Sequence, residues 1–278
     1  MKAVLRMGAL TMALALGLAA DGTAQQYPPV TLPGTQVRSM KSSSTGRDYD
    51  IYIQLPAAYA RDTQARYPVL YVLDGQWDFK LMSSIQGGLL YDRFVPDMII
   101  VGITYSGATA NYDSLRATDY TTVALPNPPG SGDAPRFLAF LHHELVPMIE
   151  ASFRADPARR ILMGASYGGL FTLYALFSDP TFFWAYMAGS PAVPYANRST
   201  FAQEAAYAAA HKDLPARLYI AVGSIEPLAG PVQEIEKVIA ARNYAGLHLE
   251  TRVVEGDRHS GNKPEAFNRG LRWVFSDR

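Results

Sequence analysis

Short apolar runs that alternate with helix-like stretches limit the folds open to this chain more than any other feature. The runs are residues 67–73, 98–103, 160–164, 184–189 and 217–223. Strands buried on both faces of a parallel sheet have this composition. The stretches that separate the runs or follow them have apolar residues at helical spacing or are rich in alanine, and they are residues 133–149, 170–177, 201–211, 232–241 and 264–275. The alternation predicts βαβ units, and hence an α/β protein with a mostly parallel sheet covered by helices on both faces.

Three further stretches depart from this pattern. Residues 35–41 and 48–55 are rich in β-formers and flank a turn, which predicts an antiparallel hairpin at the start of the fold. Residues 247–254 alternate between polar and apolar and are predicted to form an edge strand. Residues 107–134 are rich in Asn, Asp, Pro, Gly and Ser, and we expect a long loop that is either a lid, a pocket rim or disordered.

The N-terminal segment has the features of a secretory signal. Lys2 and Arg6 precede an apolar stretch at residues 7–20, and small residues lead up to Ala24. We expect a signal peptide over residues 1–24, with an uncleaved membrane anchor as the less favoured alternative, because the apolar stretch is short for a membrane span. The mature protein is then predicted to be periplasmic or secreted from a bacterium, with no integral membrane span.

Composition limits the fold and the function that residues 25–278 can have. Of the 278 residues, 49% are hydrophobic and 18% are charged, which is enough apolar material for one large core and predicts a single domain. The chain has no cysteine, so no disulfide stabilises it. The formal net charge is zero, with no basic stripe that would suggest nucleic acid. These features favour a small-molecule partner.

Ser166 is the candidate nucleophile. It is the central residue of a G-x-S-x-G pattern that follows a predicted buried strand and precedes an apolar helix. This strand–turn–helix context is the one that lifts a serine hydroxyl clear of a sheet, and glycines two residues to either side allow the sharp turn. An ordinary serine in a glycine-rich turn is the alternative.

His259 is the candidate general base, since a serine hydroxyl is a weak nucleophile that needs one. In folds of this kind the histidine follows the serine and lies after the last strand. His259 occupies that place, in the loop before the final helix. His211 ends a polar helix and His248 lies within a strand, so neither is favoured.

The acid that orients the base is predicted to be Glu226. It follows the strand at residues 217–223, as the usual order of serine, acid and histidine requires. Asp257 stays open as an alternative because it is only two residues from His259. Glu234 and Glu236 lie on the following helix and are predicted to be solvated.

Acyl transfer also needs hydrogen-bond donors for the oxyanion that develops on the reacting carbonyl. The backbone N–H of Tyr167, which follows the nucleophile, is one candidate. The N–H of Gln76, after the early strand that ends at Leu73, is the other. Trp77 is predicted either to form a pocket wall or to pack on the core.

No metal site or cofactor is predicted. His142 and His143 are followed by Glu144, but the stretch lacks the second histidine of a zinc-protease helix.

At these residues the chain resembles the esterase D and enterochelin-esterase-like branch of the α/β-hydrolases, over about residue 35 to the C-terminus. The resemblance is carried by the hairpin start and by segments 72–76, 164–169, 222–226 and 257–261. Segments 116–121 and 190–191 also look like the family's pattern. The resemblance implies an α/β-hydrolase fold and an oxyanion N–H at Gln76.

The resemblance is strongest to exported hydrolases related to periplasmic siderophore trilactone esterases. It implies carboxylic ester hydrolysis through an acyl-enzyme, on a small-molecule substrate of the siderophore trilactone, acyl or feruloyl type. Arg116 is a candidate substrate-binding residue, and a structural ion pair is the alternative. A serine peptidase or an acyltransferase of the same fold, or a binding protein without catalysis, are the other functions that this pattern allows.

Overall fold

The computed structural model describes residues 30–276. The predicted signal peptide lies outside these residues. The described residues from Leu32 onward form one compact unit.

Within residues 30–276, eight strands form one sheet in the order β1-β2-β4-β3-β5-β6-β7-β8. They are β1 (Thr35–Lys41), β2 (Asp48–Gln54), β3 (Tyr67–Val72), β4 (Ile99–Tyr105), β5 (Ala155–Ala165), β6 (Ala185–Gly189), β7 (Arg217–Gly223) and β8 (His248–Val254). β2 is antiparallel to both β1 and β4, and all other neighbours are parallel. The predicted hairpin, parallel core and edge position of β8 are all confirmed.

The helices of the described chain are α1 (Gly75–Tyr91), α2 (Tyr112–Tyr120), α3 (Ala134–Phe140), α4 (Val146–Ser152), α5 (Tyr167–Ser178), α6 (Tyr195–Ala210), α7 (Ala229–Ala241) and α8 (Lys263–Val274). A π-helical turn at Leu141–Leu145 joins α3 to α4. The backbone at residues 196–198 is left-handed, so the regular part of α6 begins after it.

Alternate residues of the central strands feed two apolar cores, one on each face of the sheet. In β7, Leu218 and Ile220 belong to the core under α3 to α7, and Tyr219 belongs to the core under α1 and α8. Met82 of α1 and Leu271 of α8 are fully buried in this second core. Because helices cover both faces of the sheet, side chains on both faces of these strands are buried, which explains why the strands are apolar throughout. Each buried Leu or Phe side chain stabilises the fold by about 1.5–3 kcal/mol.

The structure corrects several details of the sequence prediction. The stretch 107–134 is not all loop, because α2 lies within it. Helix α1, directly after β3, was not predicted. Glu236 is buried rather than solvated.

Candidate active site

The candidate residues lie at one edge of the sheet because each follows the carboxyl end of a parallel strand. Asp74 follows β3, Ser166 follows β5, and Ser190 follows β6. Glu226 follows β7, and His259 follows β8. Ligands of open parallel sheets bind at this edge. The topology therefore gathers residues that are far apart in the sequence.

Ser166 occupies a strained turn between β5 and α5. Its backbone has φ 60° and ψ −119°, a conformation that non-glycine residues rarely adopt. The turn is so tight that a side chain on Gly164 would lie 2.5 Å from the backbone of Gly168. The Ser166 N–H donates to the carbonyl of Gly189, at 3.0 Å, which ties the turn to the end of β6. Such strain at a partly exposed serine is typical of an activated nucleophile.

His259 and Glu226 are in direct contact. Nδ1 of His259 lies 2.5 Å from Oε2 of Glu226. The glutamate side chain is 1% exposed and the histidine side chain 39% exposed, so the imidazole faces solvent and the acid is buried behind it. No hydrogen bond of the described residues joins the side chain of Asp257 to His259. The geometry thus brings together the histidine and the acid that chain order favours.

Backbone contacts fix the relative position of the two turns that carry this pair. The N–H of Ile225 donates to the carbonyl of Asp257. A side chain on Gly223 would lie 2.4 Å from that same carbonyl, so only glycine fits where the histidine loop crosses the end of β7. The N–H of Gly256 also donates to the hydroxyl of Ser224, at 2.8 Å.

Among residues 30–276, no hydrogen bond joins the hydroxyl of Ser166 to His259. Both residues lie at the same sheet edge, and both are partly exposed. In free enzymes, catalytic hydrogen bonds are often long and tighten when substrate binds.

The second oxygen of Glu226 is held by neutral donors that the sequence analysis did not identify. Oε1 accepts from the Ser190 hydroxyl at 2.6 Å, from the Gly223 N–H at 2.7 Å and from the Asn262 amide at 3.1 Å. Ser190 and Asn262 are both buried. The position of Ser190 after a buried strand was the available signal, whereas nothing in the sequence marks Asn262.

The two proposed oxyanion donors begin neighbouring helices. Gln76 lies in the first turn of α1, and Tyr167 is the first residue of α5. N–H groups in a first turn have no partner within their helix and are available to an anion. A side chain on Gly168 would lie 3.3 Å from the carboxylate of Asp74, so the two helix starts are close to each other.

Arg116 of α2 links these two turns. Its Nε and Nη2 donate to the two carboxylate oxygens of Asp74, at 2.9 and 2.7 Å, and Nη2 also lies 3.4 Å from the carbonyl of Ala165. Burial opposes its charge, but hydrogen bonds and Coulomb attraction from Asp74 raise the pKa of Arg116. The Arg116 guanidinium lies 5.3 Å from the ring of Tyr167 and 5.5 Å from the ring of Trp77. The side chain thus makes the ion pair that was the structural alternative to substrate binding.

Trp77 does not pack in the core. It is 42% exposed, and its ring meets Tyr112 edge to face with the centroids 6.2 Å apart. It therefore lies at the surface beside Arg116.

A second ion pair fixes α1 one turn after Asp74. Nζ of Lys263, at the start of α8, lies 2.9 Å from both carboxylate oxygens of Asp78. Burial raises the pKa of Asp78, while Lys263 opposes this effect. Because Asn262 directly precedes Lys263, this pair connects the histidine loop to the helix that carries Gln76.

A polar cavity of about 700 Å³ adjoins this assembly. It is lined by Arg116 and Tyr167, by the start of α2, and by residues 127–129 of the loop that follows α2. The long loop predicted as a pocket rim therefore contributes to a cavity beside the nucleophile turn.

Fold and site together define an α/β-hydrolase. The sequence model of the family described as "Putative esterase" matches residues 42–272, and the chain belongs to this family. The ferri-bacillibactin esterase BesA of Bacillus subtilis is 30% identical over 88% of this chain and 91% of its own length.

Two further comparisons support membership of this family. The siderophore triacetylfusarinine C esterase of Aspergillus fumigatus is 32% identical over 59% of this chain and 58% of its own length. The crystal structure of the BES protein from Bacillus cereus superposes with a TM-score of 0.81 at 29% identity, over 92% of this chain and all of that one. The chain is accordingly an ester-hydrolysing enzyme. Among residues 30–276, no helix is long and apolar enough to cross a membrane.

Proposed function

We propose that the protein is a serine carboxylic ester hydrolase that works through an acyl-enzyme on Ser166. The observation that carries the proposal is the strained turn at Ser166, at the same sheet edge as the contact between His259 and Glu226. Strain of this kind persists where the surrounding structure holds a residue for function.

In the proposed reaction, the Ser166 hydroxyl attacks the ester carbonyl and its proton passes to Nε2 of His259. Glu226 stabilises the imidazolium through Nδ1. The oxyanion accepts hydrogen bonds from the N–H groups of Gln76 and Tyr167. The tetrahedral intermediate then collapses, and the leaving alkoxide takes the proton from His259. Water, activated by the same histidine, hydrolyses the acyl-enzyme and restores the serine.

For the substrate we propose an ester of the siderophore trilactone class. This proposal rests on the relatives, whose names describe esterases of ferri-bacillibactin and of triacetylfusarinine C. The cavity beside Tyr167 offers polar groups to an oxygen-rich ligand, and Trp77 offers an exposed aromatic surface to aromatic acyl groups. Acyl and feruloyl esters are the competing substrates within the same chemistry.

The chemistry is tested by treating the purified protein with a fluorophosphonate probe, mapping the labelled peptide and measuring p-nitrophenyl butyrate hydrolysis. We expect the label on Ser166. We expect Ser166→Ala and His259→Ala each to lower kcat by roughly 10⁶-fold, because residues that act as a unit fail together. Labelling elsewhere, or turnover that survives both substitutions, would refute the acyl-enzyme.

The same preparation is then assayed on a trilactone, a feruloyl ester and an acetylated sugar. Preference for the trilactone in kcat/KM supports the substrate proposal. A preference for feruloyl or acetyl esters would reassign the substrate while leaving the acyl-enzyme intact.

A further inference from the structure

We propose that Ser190 and Asn262 are positioning residues that act through Glu226 on the general base His259. The inference rests on the proposed function, since it assigns a role within the same site. It begins from the three hydrogen bonds on Oε1 of Glu226, two of which come from these side chains.

Ser190 is held in an unusual backbone conformation for this contact. Its φ of 39° lies in the left-handed region, which non-glycine residues seldom adopt. Its N–H donates to the carbonyl of Ala221 at 2.6 Å, which fixes the residue against β7. Its hydroxyl has one hydrogen, which it donates to Oε1 at 2.6 Å. An observed backbone outlier whose side chain points at a buried functional group is a reason to infer function.

Asn262 joins the acid to the loop that carries the base. Its amide nitrogen lies 3.1 Å from Oε1 of Glu226, 3.0 Å from the Ser190 hydroxyl and 3.1 Å from the backbone carbonyl of His259. It also lies 2.9 Å from the carbonyl of Arg258. The two amide hydrogens are shared among these acceptors. One side chain thus sets the distance between the glutamate and the histidine backbone.

All the donors on Oε1 are neutral. They stabilise the buried carboxylate and fix its plane, yet they add no full positive charge beside it. The carboxylate therefore keeps its negative charge, and its Oε2 lies 2.5 Å from Nδ1 of His259. An arginine in the same place would satisfy the carboxylate but cancel the charge that stabilises the imidazolium.

The test compares Ser190→Ala and Asn262→Leu with wild type, using p-nitrophenyl butyrate across pH. We expect kcat to fall about tenfold in each variant with KM nearly unchanged, because the carboxylate of Glu226 is no longer held in the orientation that positions His259. We also expect the acidic limb of the kcat/KM profile to move to higher pH. With one donor fewer, the carboxylate holds a proton on the imidazole more firmly.

A matched control is Ser42→Ala. Ser42 is also buried, and its hydroxyl also donates to a glutamate, Glu144, at 3.0 Å. Ser42 lies in the turn between β1 and β2, and four strands separate β2 from the β7 strand that precedes Glu226. This substitution removes a comparable hydrogen bond and should leave both kcat and the pH profile as in wild type.

A double-mutant cycle shows whether the two residues act through Glu226. In a Glu226→Gln background, we expect Ser190→Ala and Asn262→Leu to cost less than twofold, because the group they position is already disabled. Full additivity, or an unmoved acidic limb in both single variants, would overturn the positioning role. Either result leaves the acyl-enzyme proposal standing, because that proposal depends on the labelling and loss of activity at Ser166.

Discussion

Two buried carboxylates at the carboxyl ends of the parallel strands have opposite kinds of hydrogen-bond partner. Asp74, in the turn after β3, accepts two hydrogen bonds from the guanidinium of Arg116. Glu226, in the turn after β7, receives neutral donors on one oxygen and meets His259 with the other. Both side chains are almost fully buried.

The difference separates a structural carboxylate from one that is free to act on a base. A bidentate arginine neutralises a carboxylate and fixes its geometry, which suits a residue that holds the turn beside Gln76. Neutral donors satisfy a carboxylate without neutralising it, so its charge can still stabilise an imidazolium. Glu226→Gln and Arg116→Met each remove one side of this contrast.

Among the substitutions that test this contrast, the largest effect is expected from Glu226→Gln. The amide keeps the shape of the side chain but not its charge, so it cannot stabilise the imidazolium and it favours the wrong tautomer of His259. We expect kcat for p-nitrophenyl butyrate to fall by about 10³–10⁴-fold, with little change in melting temperature.

Asp257→Asn is the matched control for that substitution. It changes a carboxylate to an amide in the loop that carries His259, and we expect activity close to wild type. A larger loss in Asp257→Asn than in Glu226→Gln would show that the acid had been assigned to the wrong residue.

A smaller effect, mainly on stability, is expected from Arg116→Met. It leaves Asp74 charged and buried without its partner, which typically costs about 3–5 kcal/mol of unfolding free energy. The double variant Asp74→Asn, Arg116→Met should recover much of the loss, because the unpaired charge is removed as well. Urea unfolding, together with kcat and KM, measures these effects.

Arg242→Met is the comparison for Arg116. Arg242 also makes two hydrogen bonds, each of 2.9 Å, to a buried acid, Glu204. We expect both variants to lose stability, but only Arg116→Met to lower kcat, since Asp74 directly precedes the first turn of α1, which carries the proposed oxyanion donor Gln76. An Arg116→Met enzyme of normal stability and raised KM would instead identify Arg116 as a substrate ligand.

The contrast between the two carboxylates also shows what the sequence could predict. Hydrophobic patterning predicted the sheet. Chain order predicted that Ser166, His259 and Glu226 lie close together, because the carboxyl ends of parallel strands meet at one edge. The arginine on Asp74 and the amide on Glu226 come from α2 and from the loop before α8. Their contacts depend on the path of those segments across the edge, and hydrophobic periodicity does not encode that path.

Helix α1 was missed for a related reason. It begins at Gly75, two residues after the predicted end of the strand at Leu73, and Asp74 between them has the left-handed φ of 54°. Its buried residues include Asp78 and Gln86 as well as apolar ones, so its apolar face is broken. Asp78 is buried because Lys263, far away in sequence, pairs with it.

Glu236 of α7 extends the comparison. Among residues 30–276 it is a buried carboxylate with neither an arginine partner nor a set of neutral hydrogen-bond donors. It is 8% exposed, and within residues 30–276 its Oε1 has no hydrogen-bond partner. Burial raises the pKa of Glu236 from its ordinary 4.5 to about 7, and Lys237 opposes this effect. The folded protein therefore binds this proton more tightly than the unfolded chain does.

The sign of the pH dependence follows from that difference. Between pH 4.5 and about 7 the folded state retains a proton that the unfolded chain has released, so this group's contribution to stability falls as pH rises and is constant above that window. We expect Glu236→Gln to match wild type near pH 4 and to be more stable by about 1–3 kcal/mol at pH 8, measured by urea unfolding. Glu234→Gln, on an exposed side chain of the same helix, should change stability by less than about 0.5 kcal/mol at either pH. If wild type and Glu236→Gln differed by the same amount at both pH values, the pKa of Glu236 would be the same in the folded and unfolded states, and burial without a partner would not be enough to raise the pKa of this carboxylate.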